Sequence, residues 1–173
     1  MGFTLVLGGA RSGKSRYAQT MAEAAAQDCC TRPIAIVTAQ VYDEEMAQRV
    51  ALHKHDRGDA WETMEAPLDL CGAINGLKSG DVAVIDCMTL WLTNILLAEA
   101  DFAVEIDRLL ASLKASPAMI WIVSNEVGWG IVPDNALARR FRDEAGRLNQ
   151  KLAEASQQAV LIVAGMKLDL ARV

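Results

Sequence analysis

The sequence predicts an α/β fold with a mostly parallel central sheet and helices on both of its faces. Short, almost continuously apolar runs alternate along the chain with longer segments in which apolar residues recur every three or four positions. The short runs are typical of parallel strands covered on both faces, and the longer segments are typical of amphipathic helices. No Pro/Ser-rich linker or internal repeat interrupts this alternation. We therefore expect one domain over residues 1–173.

The elements follow one another in a regular order. The apolar runs predict five strands: Phe3–Leu7, Ile34–Val37, Val82–Ile85, Met119–Val123 and Val160–Val163. The segments between and after them predict six helices: Lys14–Gln27, Asp43–His55, Pro67–Leu77, Leu90–Ala98, Val104–Leu113 and Asn135–Gln157. The last helix has the clearest pattern, because one apolar stripe recurs along it every three or four residues.

Composition excludes several classes of protein. The chain has 173 residues, of which 52% are hydrophobic and 23% charged, and these values are typical of a globular domain. A net charge of -5 argues against a dedicated surface for duplex nucleic acid, so no nucleic-acid partner is expected. Four cysteines without a C-x-x-C pair argue against structural zinc. The sequence contains no run of 18 apolar residues that would predict a membrane span, and we recognise no signal peptide in it. We therefore expect a cytoplasmic protein.

A phosphate-binding loop is predicted at residues 8–15, which read GGARSGKS and match G-x-x-x-x-G-K-[ST]. A strand precedes the loop and a helix follows it, which argues against a chance match by an ordinary glycine-rich turn. The glycines allow the backbone N–H groups to surround a β-phosphate, and the lysine neutralises the β- and γ-phosphate oxygens. The predicted nucleotide-binding residues are Gly8, Gly9, Ala10, Arg11, Ser12, Gly13, Lys14 and Ser15.

A second acidic element accompanies the phosphate loop. The apolar strand at residues 82–85 ends in Asp86, as in a Walker B element. We expect Asp86 to hold Mg²⁺ directly or through water, together with the Ser15 hydroxyl. The two elements predict a P-loop NTPase that binds a nucleoside triphosphate with magnesium.

Three further segments narrow the class. Residues 43–57 contain DEEM, Arg49 and His53, residues 89–94 read TLWLTN, and residues 124–133 read SNEVGWGIVP. With GGARSGKS, this set closely resembles the bifunctional adenosylcobinamide kinase/adenosylcobinamide-phosphate guanylyltransferase family of cobalamin biosynthesis, from about Thr4 to Gly165. The resemblance implies a RecA-like P-loop fold and a homotrimer.

The resemblance also implies two reactions at one site. ATP or GTP first phosphorylates the aminopropanol hydroxyl of adenosylcobinamide. GTP then guanylylates an enzyme histidine, and GMP passes to the new phosphate to give adenosylcobinamide-GDP. Arg49 stands four residues before the family's nucleophile, which selects His53 over His55. A neutral imidazole suits a two-step transfer, because it is nucleophilic near neutral pH and forms a labile P–N bond.

Other nucleotide contacts are implied by the same resemblance at Ile36, Val37, Thr38, Lys54, His55, Asp56, Arg57, Glu65 and Asp86. From composition alone, Lys54 and Arg57 could neutralise phosphate charge or be ordinary solvated residues. Glu65 could bind guanine or ribose, or be an ordinary exposed residue. Two positions depart from the family pattern: Lys167 replaces the proline of a G-x-P segment, and Leu52 replaces a second histidine found in some members.

The segment after the fourth predicted strand has two interpretations. Asn125 and Glu126 could orient the acceptor or a magnesium-bound water, since α/β folds place ligands at strand ends. Gly128 and Gly130 flank Trp129, which suggests a flexible flap, whereas the alternative is a loop that merely turns the chain. Trp91 is expected in the core or at a subunit interface rather than against a corrinoid.

Two other functions compete with the bifunctional enzyme. A simple small-molecule kinase would need Lys14, Ser15 and Asp86 but neither histidine. A nucleotide-dependent switch would usually carry a guanine-reading N-K-x-D motif, and the sequence contains none.

Overall fold

A computed structural model of the chain, which describes residues 2–40, 44 and 58–172, confirms the α/β fold around one seven-stranded sheet. The strands are β1 (Phe3–Gly8), β2 (Ile34–Val37), β3 (Glu62–Glu65), β4 (Val82–Asp86), β5 (Met119–Asn125), β6 (Gln158–Val163) and β7 (Met166–Leu170). Their order across the sheet is β3-β2-β4-β5-β1-β6-β7. Every neighbouring pair is parallel except β6 and β7, which are antiparallel.

Five α-helices connect these strands in the described part of the chain: α1 (Lys14–Asp28), α2 (Leu70–Asn75), α3 (Met88–Leu97), α4 (Phe102–Ala115) and α5 (Ala136–Ala155). Helix α5 begins after Asn135, whose side chain accepts hydrogen bonds from the N–H groups of Leu137 and Ala138. Helix α2 is shorter than predicted, because Asp69 caps it through the N–H of Gly72. The predicted helix at residues 43–55 lies almost entirely outside the described residues. Within the described ranges, no helix combines the length and apolarity that crossing a bilayer requires.

Alternating side chains on the strands build a core on each face of the sheet. Leu5, Ile85 and Ile122 point into the larger core, which is closed by α2, α3, α4 and α5. Their strand neighbours, such as Val6 and Val84, point into a second core on the opposite face. Helix α1 covers that second face with three fully buried alanines at four-residue spacing, namely Ala18, Ala22 and Ala26. The expectation of helices on both faces is confirmed.

Strand β7 returns antiparallel to β6 through a two-residue turn. Ala164 and Gly165 form the turn with φ angles of 50° and 78°, the double positive-φ geometry that matches the twist of a hairpin. Val163 and Met166 are the paired residues next to it. All five residues of β7 are exposed, so the apolar pattern that predicted the other strands is missing there.

Candidate nucleotide-binding site

The phosphate loop connects the end of β1 to the start of α1, and hydrogen bonds from inside and outside the loop hold it. Within the loop, the Ser12 N–H donates to the Gly9 carbonyl over 3.3 Å and Lys14 Nζ donates to the same carbonyl over 3.2 Å. From outside the loop, the Gly165 N–H in the β6–β7 turn donates to the Ser12 carbonyl over 2.8 Å. The hairpin turn is thus a direct support of the phosphate loop.

The two glycines of the motif are required for different reasons. A Cβ on Gly8 would lie 2.5 Å from Ser12 Oγ and 2.6 Å from the Ile162 carbonyl oxygen, which leaves no room for a side chain. Gly13 precedes α1 with a φ of 98°, which favours glycine for its backbone conformation. Ser12 Oγ is buried and has no hydrogen-bond partner among the described residues. A phosphate oxygen seated in the loop would satisfy that hydroxyl.

Lys14 is the buried cation of the site. Lys14 is only 8% exposed, and its ammonium group donates a hydrogen bond to the Gly9 carbonyl across the loop. Lys14 is thus held within the loop, where its ammonium group can neutralise phosphate oxygens.

The end of β4 carries Asp86, and Thr38 holds its backbone. The Thr38 N–H donates to the Asp86 carbonyl over 3.2 Å. The Thr38 hydroxyl donates to the Cys87 carbonyl over 2.7 Å and accepts from the Cys87 N–H over 3.0 Å. Thr38 is completely buried, and its side chain supports the strand end. The Asn94 side chain donates to the Thr38 carbonyl over 2.8 Å and extends the support to α3.

Asp86 and Ser15 present oxygen atoms suited to Mg²⁺. Both residues are half-buried, and neither the carboxylate nor the hydroxyl has a hydrogen-bond partner among the described residues. The described part of the chain also holds no cluster of three or more metal-ligating side chains. A site with two protein oxygens fits Mg²⁺, which keeps several waters and takes its remaining ligands from nucleotide phosphates.

A polar network lies at the end of β5, between β4 and the phosphate loop. Asn125 Nδ2 donates to Thr89 Oγ1 over 2.7 Å, and Thr89 Oγ1 lies 3.1 Å from Cys87 Sγ. Burial, followed by the charge of Asp86, raises the pKa of the Cys87 thiol. The thiol therefore stays neutral in this network. The Glu126 N–H donates to the Gly8 carbonyl over 3.1 Å and joins the end of β5 to the loop.

Asn149 of α5 completes this network from the opposite side. Its Nδ2 donates to the Asn125 carbonyl over 3.2 Å, and its Oδ1 accepts from Ser124 Oγ over 2.6 Å. Sequence reasoning did not single out Asn149 or Thr89 as site residues. The available signal was a polar residue at a buried position, since Asn149 stands beside Leu148 within the apolar stripe of α5.

The remaining predicted residues are placed less centrally. Ile36 is fully buried and Val37 is half-buried at the end of β2. Glu65 is exposed at the end of β3, the edge strand, four strand positions from β1. At a strand spacing of about 4.8 Å this separation is roughly 19 Å, so Glu65 does not lie at the phosphate loop. His53, Lys54, His55, Asp56 and Arg57 fall outside the described residues.

Comparisons with known proteins agree with this geometry. The sequence model of the family described as cobinamide kinase / cobinamide phosphate guanyltransferase matches residues 4–170. The chain is 42% identical over 169 residues to the bifunctional adenosylcobalamin biosynthesis protein CobP of Pseudomonas aeruginosa, covering 96% of this chain and 95% of that protein. It is 41% identical over 178 residues to the protein CobU of Salmonella typhimurium, covering 94% and 96%.

A third relative is the CobU protein of Escherichia coli, which is 38% identical over 178 residues and is covered to 96% of its length. These likenesses extend over nearly the whole chain, from the phosphate loop to β7. Together with a P-loop formed between β1 and α1 and an acidic residue ending β4, they show that the chain belongs to the family of bifunctional adenosylcobinamide kinases and adenosylcobinamide-phosphate guanylyltransferases of adenosylcobalamin biosynthesis.

Proposed function

We propose that this chain performs both reactions of its family at one phosphate loop and that, in the second reaction, His53 carries GMP from GTP to adenosylcobinamide phosphate. The observation that supports a shared site is the preformed loop, with Lys14 buried beside it and Asp86 at the neighbouring strand edge. In the first step the acceptor hydroxyl of adenosylcobinamide forms a bond to the γ-phosphorus. The bond from that phosphorus to the β–γ bridging oxygen breaks, the nucleoside diphosphate leaves, and the hydroxyl proton is released to water.

The second reaction would use the α-phosphorus of GTP. The neutral His53 imidazole attacks it, a P–N bond forms, and pyrophosphate leaves. A phosphate oxygen of adenosylcobinamide phosphate then attacks the same phosphorus, which breaks the P–N bond and returns the imidazole. Lys14 and the loop N–H groups neutralise charge on the β- and γ-phosphates in both reactions.

The other predicted contacts fit around these steps. Ser15 and Asp86 would hold Mg²⁺, which when bound supplies positive charge to the phosphate oxygens. The nucleotide contacts of the loop come from residues 8–15, and those of the guanylyl group from Val37, Glu65 and residues 54–57. The predicted nucleotide contacts at Ile36 and Thr38 stand beside that of Val37, and both of these side chains are buried. The family resemblance supports a homotrimer, and the cytoplasm is its proposed location.

Labelling with α-³²P-GTP tests the covalent step. Wild-type protein is expected to retain acid-labile, base-stable label, whereas His53→Ala retains none and forms no adenosylcobinamide-GDP. Kinase activity should persist in His53→Ala, because γ-phosphoryl transfer needs positioning and charge but no protein nucleophile. Lys14→Ala should lose both activities, since both need the triphosphate held in the loop.

His55→Ala is the matched control for the nucleophile, and it should keep both the label and the kinase activity. Loss of label in His55→Ala with retention in His53→Ala would move the nucleophile by two residues. Normal labelling in both variants would reject the guanylyl-histidine and favour a simple kinase. An unlabelled wild-type protein with an active kinase would lead to the same conclusion.

A further inference from the structure

A cleft lies beside the outer rim of the phosphate loop. Its volume is about 300 Å³, and it is lined by loop residues 9–12, by residues 161–164 at the end of β6, and by Glu126 and Trp129. The side chain of Trp129 projects from the segment after β5, and the residue is 76% exposed. The cleft thus combines a phosphate-binding backbone with a large aromatic side chain that the core does not use.

The size of the cleft favours the nucleoside triphosphate over adenosylcobinamide as its occupant in the first reaction. Small-molecule pockets occupy about 300–1,000 Å³, so this one lies at the lower limit. A purine nucleoside fits a space of that size, whereas a corrin macrocycle with its side chains does not. Aromatic side chains commonly bind nucleobases by stacking, because every base offers a π-face.

The strand order places this cleft opposite the guanosine contact proposed above. The cleft adjoins β6, on one side of β1, whereas Glu65 ends β3 at the other edge of the sheet. A nucleotide with its phosphates in the loop can extend its base toward only one of these sides. The two reactions also differ in the phosphorus attacked, which is the γ-phosphorus for phosphorylation and the α-phosphorus for guanylyl transfer.

We infer that the cleft beside Trp129 is the purine subsite for the nucleoside triphosphate of the phosphorylation step, separate from the site that holds guanosine during guanylyl transfer. This inference rests on the proposed function, since it presumes that both reactions occur. The purine stacks on the Trp129 indole, while the triphosphate enters the loop beside Lys14 at the N-terminal end of α1.

The lining also determines how selective this subsite is. Among the described residues the lining contains no side-chain amide, and its polar side chains are those of Arg11, Ser12 and Glu126. Glu126 Oε1 already accepts from the Gly128 N–H over 2.7 Å. Recognition by stacking does not depend on the hydrogen-bonding edge of the base. ATP and GTP should therefore serve as phosphoryl donors with KM values within a few-fold of each other.

Kinetics of Trp129 variants test the inference. Trp129→Ala should raise the kinase KM for ATP by about tenfold, a typical cost of losing one stacked base, with little change in the KM for adenosylcobinamide. Trp129→Phe should restore most of the affinity. The KM for GTP in self-guanylylation, which requires no corrinoid, should be unchanged. Ile131→Ala is the matched control, because Ile131 is 97% exposed in the same segment and does not line the cleft.

Inorganic tripolyphosphate separates the purine from the phosphates. It fills the loop without entering the cleft, so its inhibition constant in the kinase reaction should be equal in wild type and Trp129→Ala. Trp129→Ala with an unchanged KM for ATP would overturn the inference, as would an equal rise in the tripolyphosphate constant or in the GTP KM for labelling. A rise confined to the KM for adenosylcobinamide would place Trp129 in the acceptor site, and it would also overturn the inference. If the wild-type protein had no kinase activity, the proposed function itself would fail.

Discussion

The backbone that carries the Asp86 carboxylate is held in place by Thr38. Thr38 bonds to the Asp86 carbonyl and to both backbone groups of Cys87. These bonds leave the carboxylate free of partners among the described residues while preventing the strand end from shifting. A metal ligand benefits from such support, because the cost of positioning it has been met during folding.

Asp86→Asn is therefore expected to reduce turnover without unfolding the protein. The amide has nearly the same shape, but it removes the negative charge that Mg²⁺ requires. Metal-supporting residues typically cost about 10–100-fold in affinity when mutated, so kcat/KM at limiting Mg²⁺ should fall at least about tenfold. The measurement is kinase activity across a Mg²⁺ titration, with Asp107→Asn, an exposed carboxylate on α4, as the control. Identical titration curves for wild type and Asp86→Asn would remove Asp86 from the metal site.

Residues whose roles depend on near neighbours in the sequence could be predicted, and residues whose roles depend on distant partners could not. Gly8 and Gly13 could be predicted because a phosphate loop is a local motif, and the structure shows the crowding at Gly8 and the positive φ at Gly13. The structural role of Thr38 depends on a partner 49 residues away, so no local pattern indicates it. The resemblance implies a nucleotide contact there, which stays a prediction, and the structure shows in addition a buried support for the backbone of Asp86 and Cys87.

The side chain of Asn149, which is polar and buried, joins helix α5 to strand β5 by hydrogen bonds. Asn149 is 6% exposed and Ser124 is 1% exposed, and together with the Asn125 carbonyl they form a link that excludes water. A buried polar group that loses its partner retains the full cost of its desolvation. The link therefore matters to stability as well as to the placement of the Asn125 amide.

Asn149→Ala should destabilise the fold by about 1–3 kcal/mol, because the Ser124 hydroxyl is left buried without its acceptor. Gln150→Ala is the matched control, since Gln150 is exposed on the next position of the same helix, and such surface changes usually stay within about 0.5 kcal/mol. Unfolding by urea, followed by circular dichroism, compares the two variants. A stability for Asn149→Ala equal to that of the control would show that the link contributes little.

The strands that could be predicted are those whose apolar residues are buried in the core. Strands β1, β2, β4, β5 and β6 match the predicted runs to within about two residues, because each is covered on both faces. Strands β3 and β7 lie at the two edges of the sheet, and their mostly exposed residues carry little hydrophobic signal. The hairpin turn that supports Ser12 was missed for the same reason.

At the scale of the whole molecule, self-association is expected. The chain has a mass of 18.7 kDa, and β7 exposes an apolar row formed by Met166, Leu168 and Leu170 on an edge strand. Exposed apolar rows on edge strands are common sites of protein association. Light scattering coupled to size-exclusion chromatography should give about three times the chain mass for a homotrimer. A mass that stays at that of one chain over a wide concentration range would contradict the proposal.

Strand order could not be read from the sequence, although it decides which residues meet. The alternation of strands and helices predicts a mostly parallel sheet, but the insertion of β5 between β1 and β4 depends on long-range packing. That insertion brings Asn125 and Glu126 between the phosphate loop and Asp86. It also moves Glu65 away from the loop, which local motifs alone could not indicate.

The three alanines that seat α1 on the sheet have a consequence for the order of events in catalysis. A helix whose fully buried apolar contacts are alanine methyl groups lies close to the strands, and it cannot tilt or slide without opening a void or a clash. We therefore expect α1, which follows the phosphate loop, to keep its position on the sheet during the cycle. Because the phosphorus under attack changes from γ to α, the nucleotide and the attacking groups must exchange positions around a fixed anchor.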